Sequence, residues 1–147
     1  MRDGVYAFRF NGYDVESIGI GYLVGVGTLK LKNDVIVEGL EESSATLLSK
    51  KDNKLLPAKF TLSGRFTRPR NGLFKGDVLF KQTPKGSPNQ VLEAIFDLVE
   101  AGENRYWLIS LYTSDLSEGG IEADEIVSGE LVRTGALPPR RSRRKHN

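Results

Sequence analysis

Phe60-Thr61-Leu62-Ser63-Gly64-Arg65-Phe66-Thr67 decides the fold class. Apolar or small residues alternate with polar ones through the whole run, the period of a strand with one buried face. Pro57 opens this segment, and Pro69-Arg70-Asn71-Gly72 closes it with a strong turn signal. The rhythm then resumes from Leu73 to Thr83, where Phe74, Gly76, Val78 and Phe80 share a face.

Working outward, the same grammar recurs. Gly4 to Asn11 carries Tyr6, Phe8 and Phe10 on one face, and Asn11-Gly12 with Asp14 marks a turn. Ile18 to Lys32 places Leu23, Gly25, Gly27, Leu29 and Leu31 on one face; glycines in such a strand signal a bend or a close backbone approach. Asn33-Asp34 turns into Val35–Gly39, followed by Leu40–Ser49 and the turn-rich segment Lys50-Lys51-Asp52-Asn53-Lys54. Beyond the loop Pro84–Asn89, the segment Gln90 to Ala101 fits two periods. Leu92, Ile95, Phe96 and Val99 make a helical stripe, whereas Leu92, Ala94, Phe96 and Leu98 alternate as in a strand. Neighbours and length favour the strand. Gly102-Glu103-Asn104 leads into Arg105–Thr113, and after the acidic loop Ser114–Asp124 a last strand spans Glu125 to Thr134. The expectation is an all-β fold, a single antiparallel up-and-down barrel of about eight strands, which satisfies every backbone edge. A two-sheet sandwich is the runner-up.

Composition sets firm exclusions. At 147 residues and 39% hydrophobic content the chain suits one domain with one core. The barrel is assigned to residues 1–135, and 136–147 form a basic, disordered tail. No stretch approaches the ~20 apolar residues of a membrane helix, so no transmembrane segment is expected. The first residues run directly into a strand without the apolar core of a secretory signal, so either a cytoplasmic protein or one whose leader has been removed is expected, the first being the simpler reading. Cysteine is absent, which excludes disulfides, thiolate nucleophiles and Cys-ligated metals. His146 is the one histidine, so neither a His-based triad nor a multi-His metal site fits inside the domain. Neither a metal nor another cofactor is expected. Net charge is +2, yet Arg140, Arg141, Arg143, Arg144 and Lys145 supply five of the 21 basic residues. The remaining 16 face 19 acidic side chains, leaving the body at −3.

Four motifs, Gly4-Val5-Tyr6-Ala7-Phe8, Gly25-Val26-Gly27-Thr28-Leu29-Lys30-Leu31, Leu62-Ser63-Gly64-Arg65-Phe66 and Val127-Ser128-Gly129-Glu130-Leu131, carry a resemblance over residues 4 to 134. The chain resembles small bacterial calycin-like barrels, lipocalin-like in architecture and mostly without assigned function. The resemblance implies the barrel and supplies no catalytic residues.

The main candidate site is the barrel interior. Tyr6, Phe8, Phe60, Phe66, Phe80, Phe96, Tyr106 and Tyr112 form its ligand-binding set, joined on the same faces by Phe74. An eight-stranded barrel is wide enough either to be filled by side chains or to hold one small ligand. Inward glycines at 25, 27, 39, 64, 76 and 129 leave room for a ligand, or let neighbouring rings fill the space. Glu41 and Glu42 are adjacent, so at most one faces inward. If Glu41 or Glu130 does, burial would raise its pKa and suit it to acid–base work. Ser63, Ser110 and Ser128 have no histidine to activate them, and Gly25-Val26-Gly27 lacks the helix a phosphate loop needs. Glu118–Glu125 lacks the ligand spacing of a calcium loop.

The tail could meet phosphates, but the acidic body and the lack of an exposed aromatic platform argue against nucleic acid. An outward Trp107 beside Ile109 and Leu111 would suit self-association as a homodimer. The leading expectation is therefore a non-enzymatic barrel that binds a small hydrophobic or aromatic molecule. An interaction module that self-associates and contacts polyanions through its tail is the first alternative. An isomerase- or cyclase-like barrel acting on a lipid-like substrate is the second.

Overall fold

The computed structural model describes residues 1–16, 19–46, 55–67, 75–86, 89, 91–115 and 121–140, with side chains omitted from parts of several strands. The described chain is all-β, with no helix. Eight strands follow in order: β1 (Gly4–Glu16), β2 (Gly19–Lys32), β3 (Val35–Thr46), β4 (Leu55–Thr67), β5 (Lys75–Pro84), β6 (Leu92–Gly102), β7 (Arg105–Asp115) and β8 (Ile121–Gly135). Each pairs antiparallel with its successor. β8 also pairs with β1, so the ring of pairings closes into a barrel.

Local chemistry explains the connections. Asn33 and Asp34 adopt φ of 51° and 62°, so the two central residues of this turn are both left-handed, as a tight β2–β3 hairpin requires. Asp3 accepts from the Asn33 amide at 2.9 Å, and the Asp34 carboxylate takes the Met1 ammonium at 2.8 Å, fastening the chain start beneath the same turn. Asn104, at φ 60°, plays the equivalent part between β6 and β7.

Three boundaries differ from the sequence reading. Asn11-Gly12 and Asp14 do not turn the chain, because β1 continues through them to Glu16. Gly12 is instead a close-approach position: a Cβ there would overlap the Ile126 carbonyl and crowd the Val127 backbone on β8. Val35–Gly39 and Leu40 onward are one strand, with a register shift against β4 between Ile36 and Leu40. The end of the acidic loop is already strand, since β8 starts at Ile121.

The core lies inside the ring. Tyr6, Leu29, Leu31, Val127 and Leu131 are fully buried, and Phe8, Ile36, Leu62, Phe66, Phe96, Leu98 and Leu108 join them. Removing one such side chain from water contributes about 1.5–3 kcal/mol. The inward positions on β1, β2, β4 and β8 match those that alternation assigns. The opposite phase of each strand forms an outer wall, and its register places the site described next.

Candidate functional site

The interior was the expected site, and its aromatic residues do gather there. Tyr6, Phe8, Phe66 and Phe96 belong to the buried core, with Phe60 and Tyr106 packed against it. The side chains of Phe80, Tyr112 and Phe74 lie outside the described residues. The glycines on β2 are covered. Phe8 and Phe10 stack with ring centroids 6.3 Å apart and planes 10° from parallel. Their rings lie over Gly27 and Gly25, their direct cross-strand partners, so closely that a Cβ at either glycine would overlap the ring. Here the absence of a Cβ makes room for aromatic rings of the protein itself.

Polar groups sit in this interior as well. Tyr6 is 1% exposed and donates its hydroxyl to the Arg2 carbonyl at 2.5 Å; burial pushes its pKa up to about 12, with Tyr106 adding to the rise. Burial also raises the Tyr106 phenol, and Glu100 adds to the effect. Of the two adjacent glutamates, Glu41 is inside at 4% exposure, opposite Gly27 and Phe60, while Glu42 faces out and meets Lys59 at 3.4 Å. Glu130 faces out too. Its carboxylate holds Arg105 Nε at 2.8 Å and Arg9 Nη2 at 3.2 Å.

Arg9 and Glu130 of that cluster line an open trough of about 1110 Å3. Its lining comes in short runs from five neighbouring strands: 107–109 on β7, 128–130 on β8, 9–11 on β1, 24–26 on β2 and 42–43 on β3. Within each three-residue run the two flanking side chains point outward. The middle residues, Phe10, Gly25, Leu108 and Gly129, belong to the inward phase of their strands. Pairing aligns Trp107, Glu130, Arg9, Val26 and Glu42 in one row across the strands, and Ile109, Ser128, Asn11 and Val24 in the next. Large apolar side chains flank the polar middle: Trp107 is 62% exposed and Ile109 54%, Val26 58% and Val24 50%. Below them Ile126 is exposed beside Tyr13, whose hydroxyl donates to that of Tyr22 at 3.0 Å.

The outward Trp107 matches the sequence reading. Missed were the Val24–Val26 half of the wall and the Arg9–Glu130–Arg105 cluster. One signal was present in the sequence: Leu23-Val24-Gly25-Val26 is apolar on both strand faces, unlike Phe60–Thr67. Of the basic tail, Arg140 is exposed, and Arg141, Arg143, Arg144 and Lys145 lie outside the described residues. The side chains of the acidic stretch Glu118–Glu125, read as a solvated loop, also lie outside the described residues. No cluster of three or more metal-ligating side chains occurs among the described residues. No described helix is long and apolar enough to cross a membrane. No protein-family model matches the chain, and no curated protein or solved structure is significantly similar to it.

Proposed function

We propose that this chain is a non-catalytic binding module that engages a protein partner with its outer wall. The observation that carries the reading is the trough itself, where Trp107, Ile109, Val24 and Val26 present large apolar side chains to solvent around a charged centre. Contiguous apolar surface rimmed by polar groups marks interaction sites on monomeric proteins, and tryptophan and arginine dominate interface energetics. The calycin-like resemblance is compatible with this use, since it brings an architecture without an assigned chemistry.

The wall is tested with 1-anilinonaphthalene-8-sulfonate in dilute protein. Trp107 is the sole tryptophan, so energy transfer from it reports dye bound to the barrel, and a substitution on the wall assigns that dye to this face. Val26→Asp is expected to reduce the transfer signal by about fivefold or more, because a carboxylate placed on this strip repels an apolar anion. An unchanged signal in a folded Val26→Asp protein overturns the reading.

A second reading keeps the small hydrophobic ligand inside the barrel. It is favoured by the gathering of Tyr6, Phe8, Phe60, Phe66, Phe96 and Tyr106 on one inner face. A native mass spectrum decides it. A mass excess of a few hundred daltons per chain, retained in Val26→Asp and lost on denaturation, would support the interior ligand; its absence removes that support.

A further inference from the structure

We infer that the partner of the outer wall is a second copy of this chain, packed face to face about a two-fold axis along the β8–β1 seam. The inference rests on the wall reading above and names its occupant. A two-fold contact must be self-complementary, so that each residue meets a counterpart reflected across the axis. For an axis running along the seam and lying in the contact plane, β8 faces the partner's β1, and β7 faces the partner's β2, at the same row.

Across the two seam strands, four successive rows meet that condition. In the row of Arg9 and Glu130, directly opposed on the two seam strands, Glu130 faces the partner's Arg9. The same operation brings Trp107 onto the partner's Val26. In the next row Ser128 faces the partner's Asn11, two groups already 3.4 Å apart within one copy, and Ile109 faces the partner's Val24. Further along, Ile126 faces the partner's Tyr13, and on the other side Val132 faces the partner's Ala7. Opposite charges meet, hydrogen-bonding groups meet, and apolar groups meet. No like charges are opposed in these rows. Trp107 lines the β7 side of the trough and Val24 and Val26 its β2 side, so the same operation brings each copy's exposed indole against the other's valines.

Charge exchange tests the arrangement without requiring a known ligand. Sedimentation equilibrium of the wild-type chain is expected to show a dimer in the micromolar to millimolar range. Arg9→Glu and Glu130→Arg are each expected to weaken self-association by more than about tenfold, because each homodimer then opposes like charges across the seam. Mixing the two variants restores the dimer. The carboxylate introduced at position 9 of one copy then meets the guanidinium introduced at position 130 of the other, while the second seam contact keeps its original Arg9–Glu130 pairing. Native mass spectrometry identifies the mixed species, because the two chains differ in mass. Trp107→Glu provides a variant outside the ion cluster, expected to be monomeric with an unchanged circular dichroism spectrum. A wild-type chain that stays monomeric overturns the inference, and so does a dimer that survives all three substitutions. Folded single variants that fail to combine overturn it too. In each case the dye experiment still reports on the wall, so loss of the second copy is distinguishable from loss of the surface.

Discussion

Tyr6 shows how much one buried hydroxyl can govern. Its phenol is held protonated by burial, with a pKa of about 12 against an ordinary value of 10. A raised pKa means that the folded state keeps the proton more tightly than the unfolded chain. The stabilisation is complete below pH 10 and is lost as pH climbs from there to about 12. Phenolate absorbance should therefore show a late step that vanishes in Tyr6→Phe, and unfolding by alkali should become less steep in that variant. Glycines give a second residue-scale expectation. Gly25→Ala would push against the Phe10 ring, which can rotate away, whereas Gly12→Ala would push against the β8 backbone, which cannot. Overpacking costs about 1–3 kcal/mol, and urea denaturation should place Gly12→Ala at or beyond the upper end and Gly25→Ala below it. The sequence showed both glycines without showing this difference. Gly12 follows an asparagine and read as a turn, and only the approach of Ile126, 114 positions away, reveals it as a contact.

At the scale of the element, legibility followed the contrast between faces. β4 was plain because Phe60, Leu62 and Phe66 alternate with Thr61, Ser63 and Arg65. β6 was ambiguous because its apolar residues satisfied two periods. Packing settles it: Leu98 is buried and Val99 exposed, the reverse of what the helical stripe would bury, while Phe96 fits both periods. β2 was read correctly on its inner face, and its outer valines went unremarked because no single strand shows what its neighbours place alongside. The Arg9–Glu130 pair joins residues 121 apart, which only the closing register brings together. Turns were legible at Asn33-Asp34 and at Gly102–Asn104, though not at Asn11-Gly12, where the strand runs on. Asn33 sits at positive φ, and Asn33→Ala should cost about 1–2 kcal/mol because alanine tolerates that conformation poorly; a lowered denaturation midpoint with an unchanged slope would show it.

The molecule as a whole is a ring, and its dependence on closure can be measured. Truncation after Pro139 leaves every strand intact, since β8 ends at Gly135; the thermal midpoint should be unchanged, and any salt-sensitive binding to heparin should disappear with the basic tail. Truncation after Asp115 removes β8 and leaves β1 and β7 with unpaired edges, and should abolish the cooperative thermal transition altogether. The closing seam also imposes an order in time. β1 is made well before its β8 partner, which follows only after more than a hundred further residues. At ordinary rates of synthesis that is a delay on the order of ten seconds. Through that interval the newborn chain holds one half of its seam open, with the backbone donors and acceptors that β8 will pair still waiting. A neighbouring nascent chain on the same messenger would carry the same waiting strand, so crowded translation is the moment at which this protein is most exposed to mispairing.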